Sequence, residues 1–136
     1  MQVNNGKEIR RRLRGHKAPR FPRSSCPVAN LLDLVGDKWS LLVVRDLFYG
    51  HSTYGQLADS PERIPTNILA ERLKRMEKGG LISKTPYQRR PVRYTYKLTQ
   101  KGKDLGKILA ELARWGEKHV PGARRRLLVV DTPQDA

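Results

Sequence analysis

Between residues 27 and 78 the apolar positions recur at helical spacing, and beyond residue 80 they alternate. Pro27 suits the first position of a helix whose apolar face is Leu31, Leu32, Leu34 and Val35, and Gly36 ends it. Asp37 is placed to cap a second helix over 38–49. Its Trp39, Leu41, Leu42, Val43, Val44, Leu47 and Phe48 predict that most of it is buried, and Gly50 stops it. A short third helix over 54–59 turns Leu57 and Ala58 inward, and Ser60-Pro61-Glu62-Arg63 makes a turn. A fourth helix follows Pro65, with Thr66 as its expected N-cap. Ile64, Ile68, Leu69, Leu73 and Met76 share one face of it, and Gly79-Gly80 is a strong stop.

The period then drops from 3.6 to 2. Residues 81–88 read as a strand, and so do 92–98, where Tyr94, Tyr96 and Leu98 alternate with Arg93, Thr95 and Lys97. Gln88-Arg89-Arg90-Pro91 forms a basic hairpin tip. Thr99 is placed to cap one long last helix to about His119, roughly 31 Å at 1.5 Å per residue. The order helix, helix, short helix, helix, strand, basic turn, strand, helix predicts a mainly α (α+β) winged helix-turn-helix. It has a two-stranded wing and a long C-terminal dimerisation helix. The domain spans 24–120. A basic arm, disordered or loosely helical, precedes it over 1–23, and a tail over 121–136 follows. That tail carries Arg124-Arg125-Arg126 and then Leu127 to Val130, and no element is assigned to it.

Charge sharpens this picture. The 136 residues hold 28 Lys/Arg against 13 Asp/Glu, a net +15. Residues 1–23 carry +7, residues 24–71 carry −3, residues 72–107 carry +10 and residues 108–136 carry +1. Two basic blocks around a mildly acidic one suit a polyanion, because each neutralised phosphate releases condensed counterions. No apolar run is long enough for a transmembrane helix, and none follows the basic N-terminus as in a secretory leader. No basic helix carries an opposed aromatic face, so a membrane surface is not the expected partner. One cysteine forms neither an internal disulfide nor a zinc cluster, and a reducing cytoplasm is the expected compartment.

With Ile68, Leu69, Leu73 and Met76 facing the core, the fourth helix presents Thr66, Asn67, Ala70, Glu71, Lys74 and Lys78. Asn67 can bond an adenine edge through two hydrogen bonds, and Ala70 is small enough to meet a thymine methyl. Thr66 offers a hydroxyl to phosphate or base. Glu71 accepts from cytosine or pairs with Arg75 one turn on, and the pairing is the preferred reading. Arg72 and Arg75 flank the face, with Arg72 read as a buttressing ion pair or phosphate contact. Arg89, Arg90 and Arg93 are the wing candidates, for a narrow minor groove or for phosphates alone. Lys84 and Lys97 read as solvated strand residues. Into the last helix Leu98, Leu105, Ile108, Leu112, Trp115 and His119 follow a seven-residue step, with gaps alternating between three and four from Leu105 on, and Leu109 widens the stripe. Pairing two copies across a two-fold axis covers it. Folding back on the chain's own core is the plainer alternative.

Several segments together resemble the HxlR-type bacterial regulators, which are MarR-like. They are Cys26-Pro27-Val28, Gly36-Asp37-Lys38-Trp39, Leu41 to Leu47, Tyr54-Gly55-Gln56-Leu57, Thr66 to Leu73, Leu98-Thr99-Gln100-Lys101-Gly102 and Trp115 to His119. The resemblance covers roughly 26–119. It implies a cytoplasmic, dimeric, double-stranded-DNA-binding transcriptional regulator, nucleoid-associated when bound, with repression as the expected sense and no cofactor. Some regulators of that type sense oxidants or electrophiles through a cysteine placed like Cys26. Here Cys26 precedes a helix N-terminus near Arg20 and Arg23, an environment that favours thiolate. An oxidant or small-molecule effector would then act by adduct or by a disulfide between chains. The plainer alternative is a small residue packed at the dimer interface. His16, His51 and His119 are scattered, and no catalytic motif or metal-ligand spacing is present, so neither an enzyme nor a metal site is expected. The competing class is a non-specific basic nucleic-acid-binding protein, associated with the nucleoid or with RNA. The short polar residues Thr66 and Asn67, in place of a row of lysines, count against it.

Overall fold

The computed structural model describes residues 21–125. Most of the expected arm and the tail beyond Arg125 lie outside the described residues. The chain divides into two compact units, 1–33 and 34–136. In the first, helix α1 (Pro27–Val35) begins and runs across the division. Ser24 prepares its start. Its hydroxyl accepts the Cys26 N–H at 3.2 Å, and its carbonyl accepts the Asn30 side-chain amide at 2.8 Å. Arg23 pairs with Asp33 at 2.6 Å.

The second unit contains α2 (Ser40–Phe48), α3 (Tyr54–Ala58), α4 (Thr66–Lys78), β1 (Ile82–Arg89), β2 (Val92–Leu98), α5 (Gln100–Lys103) and α6 (Gly106–His119). α2 starts at Ser40, two residues later than expected, with Trp39 in the N-cap position, but Asp37 still serves its first turn from just outside the helix. Its carboxylate accepts the Trp39 and Ser40 N–H groups, each at 3.1 Å, and the Ser40 hydroxyl at 2.5 Å. Val43, Val44 and Leu47 turn into the core, whereas Leu41 and Leu42 are only half-buried. Thr53 caps α3 through a reciprocal box, with the Gln56 side chain returning to the Thr53 N–H. Leu57 of α3 then meets Leu69, Leu73 and Met76 of α4 in a shared core, all almost fully buried. Each such burial contributes on the order of 1.5–3 kcal/mol.

The α4 cap corrects one expectation. Pro65, and not Thr66, is the N-cap, and Thr66 is the first helical residue. The Pro65 carbonyl accepts the first helical bond, from Leu69 N–H at 2.9 Å, and its extended ψ of 139° turns the chain into the helix.

β1 and β2 pair antiparallel from Ile82↔Leu98 out to Arg89↔Val92, with a bulge between Pro86 and Gln88. The segment before α3 adds a third edge. Thr53 bridges Thr95, and the Tyr96 N–H reaches the Ser52 carbonyl at 2.7 Å. This explains why Thr95, expected to face water with Arg93 and Lys97, is half-buried.

The long last helix is also corrected. Thr99 does cap it, accepting the Gly102 N–H at 3.2 Å, but the helix breaks after Lys103. At Leu105 the backbone N–H bonds Gly102 three residues back, at 3.1 Å, and the four-residue ladder restarts with Leu109 to Leu105. Close packing accompanies the break: a Cβ at Gly102 would stand 2.1 Å from the Leu81 carbonyl oxygen. α6 is therefore 14 residues, about 21 Å long.

Burial pushes the Asp37 carboxyl up, but the Ser40 hydroxyl, the Arg72 guanidinium and the Trp39 N–H more than offset it and hold it at about 2. A carboxyl depressed in the folded state adds stability above its unfolded value near 4, and loses it as pH falls towards 2. Asp37→Ala should therefore cost about 1–2 kcal/mol at pH 7, a capping loss plus a partly solvated ion pair. In urea titrations the gap between wild type and variant should shrink as the pH is lowered from 4 to 2. A gap independent of pH would mean that the carboxylate charge contributes nothing.

Candidate nucleic-acid interface

α4 is held at both ends so that one face stays outward. At its start the Tyr54 hydroxyl of α3 donates to the Thr66 carbonyl at 2.7 Å. Along it, the Arg72 Nε donates to Asp37 at 2.8 Å, so the carboxylate that caps α2 also ties α4 to it. At its end the Lys101 ammonium reaches the Gly79 carbonyl at 2.8 Å and the Thr99 hydroxyl reaches the Gly80 carbonyl at 2.6 Å. A cation is favourable at a helix C-terminus, where carbonyls lack partners.

The turn before α4 is fixed by a fork that the sequence reading did not assign. Arg45 of α2 donates both terminal nitrogens to the Glu62 carboxylate, at 2.6 and 3.0 Å, with Ser60 and Asp46 completing the group. The Arg45 hydrogen bond draws the Glu62 carboxyl down to about 2, although burial opposes it. The signal in the sequence was the pair Arg45-Asp46 inside an otherwise apolar helix. Buried charges need partners, and Asp46 is 3% exposed.

Thr66, Asn67, Ala70, Glu71, Lys74, Arg75 and Lys78 are exposed on α4, and Arg72 is half-buried by its tie to Asp37. Glu71 pairs with the adjacent Arg72. The Asp37 tie brings the Arg72 guanidinium into reach of its neighbour. Arg89, Arg90 and Arg93 are exposed at the far end of the hairpin. Lys84 is not merely solvated. It lies 3.7 Å from Glu77 of α4 and 4.5 Å from the Tyr94 ring centre, which links the wing to α4. The face thus sets short polar side chains at the start of one helix and arginines at the tip of a hairpin. These are group types that suit base edges and phosphates.

On α6 the expected stripe divides. Leu105 and Leu109 belong to the chain's own core and are corrected as partner-facing residues, since the break before Gly106 rolls them inward. Ile108 is half-buried, while Leu112, Trp115 and His119 are exposed, and the Trp115 and His119 rings meet with centres 4.8 Å apart. In the first unit Cys26 is exposed. The backbone N–H groups of Ala29 and Val28 at the start of α1 pull its thiol below the usual value. Arg23, expected to help, is engaged by Asp33 instead; Arg20 lies outside the described residues. Among the described residues no helix is long and apolar enough to cross a membrane, and no three His, Cys, Asp or Glu side chains cluster to hold a metal.

Residues 34–124 match the HxlR-like helix-turn-helix family. The chain is 38% identical over 94 residues to Rv3095 of Mycobacterium tuberculosis, an uncharacterized HTH-type transcriptional regulator. That alignment takes in 69% of this chain and 59% of the relative, so the chain spans less than two thirds of the relative's length. The solved structure of PA1607, a candidate transcription factor, superposes with a TM-score of 0.69 at 35% identity, over 84% of this chain and 81% of that one. The reduced form of the transcriptional regulator YodB from Bacillus subtilis superposes with a TM-score of 0.59 at 25% identity, over 74% of this chain and all of that one. A diamide-treated form of YodB is also similar, with a TM-score of 0.56 at 27% identity, over 69% of this chain and 94% of that one.

Proposed function

This chain belongs to the HxlR-like helix-turn-helix family of transcriptional regulators, and from that premise we propose that it represses transcription as a homodimer bound to an inverted repeat in duplex DNA. The observation that carries the reading is the outward face of α4. Thr66, Asn67 and Ala70 stand exposed at its start while ties at both ends hold the helix still. Asn67 and Ala70 read base edges. Thr66, Lys74, Arg75 and Lys78 hold phosphates, Glu71 and Arg72 brace the helix, and Arg89, Arg90 and Arg93 grip the adjacent backbone or minor groove. The basic arm adds affinity without adding specificity.

The test is binding to the protein's own upstream region and to random duplex at two salt concentrations. Specific binding should exceed non-specific by about 10³ or more. Asn67→Ala should cost about 1–3 kcal/mol and relax preference at one base pair, whereas Lys74→Ala should weaken all sequences alike and lower the salt slope by about one. Equal losses on both DNAs for both variants would point to a non-specific basic binder, a reading that the +15 charge alone would support.

The dimer is proposed from α6. Leu112 and Trp115 are 51% and 63% exposed, large apolar side chains one turn apart with Ile108 on the same side. A two-fold pairing there sets two α4 helices about 34–36 Å apart, one turn of DNA. Leu112→Glu with Trp115→Glu should sediment as a monomer and lose most of its operator affinity. A wild-type chain that is monomeric at micromolar concentration would refute the pairing.

Oxidant sensing is proposed at Cys26, where exposure and a lowered thiol value coincide, and where the likeness to YodB, a protein also seen in a diamide-treated form, lends support. Diamide should weaken operator binding by wild type and leave Cys26→Ser unchanged in a mobility-shift titration. An equal response from both would make Cys26 a packing residue.

A further inference from the structure

A cavity of about 790 Å³ lies between α2 and α6, and no residue of α4 lines it. Leu41 and Leu42 of α2 form one wall, and Leu109, Leu112 and Ala113 of α6 form another. The turn at Pro61 and Glu62 closes one side, and Ala123, Arg124 and Arg125 close the other. By exposed area the lining is mainly apolar, although Arg45, Asp46, Tyr49, His51 and Glu117 also border it, and Leu41 and Leu42 stay half-buried because they face this space. An open apolar concavity of this size, on a chain so rich in charge, is a surface that something covers.

We propose that the occupant is this chain's own segment Leu127–Val130. Four observations support it. The described chain ends on the cavity wall, where the Arg125 guanidinium is anchored to Glu117 of α6 at 2.6 Å. The run therefore begins two residues from the rim, and five extended residues reach about 17 Å. The run is Leu-Leu-Val-Val, bracketed by Arg126 and Asp131, so its apolar part is sharply bounded by groups that stay in water. The same four residues in the same order occur once more, at 41–44, where both valines are fully buried. Lastly, the family match stops at residue 124, so the anchor at Arg125 and the run lie just beyond the part of the chain that the family model describes. Seated in the cavity, the run covers Leu41 and Leu42 of α2 and Ala113 of α6 and meets Leu112 from the cavity side only, so the face that Leu112 shares with Ile108 and Trp115 is left for the partner chain.

The test uses the full chain with Cys26→Ser, Ala113→Cys and Val129→Cys. Mild oxidation should give a 113–129 disulfide within one chain. When isotopically labelled and unlabelled chains are mixed before oxidation, the linked peptides should carry the same label. Independently, Leu128→Lys with Val129→Lys should raise the fluorescence of bound anilinonaphthalene sulfonate several-fold over wild type while the far-ultraviolet dichroism is unchanged. A link only between differently labelled chains would give the cavity to a second copy's tail. Absence of a link, or equal dye binding by wild type and the lysine variant, would leave it open to solvent or to a small apolar ligand. Each of these results overturns the proposal.

Discussion

The carboxylate of Asp37 does two jobs at once. It satisfies backbone N–H groups at the start of α2, which would otherwise lack partners, and it receives the Arg72 guanidinium of α4. The geometry of the outward face depends on this. α4 is amphipathic, and burying Leu69, Leu73 and Met76 decides which way it faces, but apolar contact alone allows a helix to slide or roll. A charged hydrogen bond of 2.8 Å opposes both. The Tyr54 and Lys101 bonds at the two ends complete the restraint.

The distribution of charge makes sense in the same terms. The acidic middle block contributes Asp37, Asp46, Glu62 and Glu71, and all four are engaged by Arg45 or Arg72. Those acids serve as internal ties, so they do not neutralise the basic block that follows. Lys74, Lys78, Arg89, Arg90 and Arg93 therefore stand exposed on α4 and the wing. A uniformly mixed surface would have the same net charge with no directed field. Only Lys84 of the wing's bases is drawn back, towards Glu77 and Tyr94, and its bond steadies the hairpin against α4.

α6 must satisfy two demands with one apolar stripe. Leu105 and Leu109 complete the chain's own core, while Leu112 and Trp115 stay uncovered. The break between α5 and α6 makes the division possible, because it changes which residues face inward after Gly102 is pressed against Leu81. Part of the same helix also walls the cavity, so core, proposed partner and proposed tail meet on neighbouring faces of one short element.

The order of elements, the core face of α4, the hairpin with its arginine tip and the family itself were legible in the sequence, because each rests on local rules. Apolar period, glycine stops, side-chain caps and charge runs act over a few residues, and Pro27, Asp37, Thr99 and Gly79-Gly80 all behave as those rules require. What the sequence left open was settled by contacts between distant residues. The Arg45 fork to Glu62 spans 17 positions and the Arg72 bond to Asp37 spans 35, and no periodicity announces either. The last helix splits beside a glycine that meets a carbonyl 21 residues earlier in the chain, and Thr95 is half-buried where it bridges Thr53. Local propensity continues a helix until something blocks it, and a helix face looks uniformly apolar until a neighbour covers part of it. Only the folded arrangement of those neighbours decided where α6 begins and which of its leucines remain available.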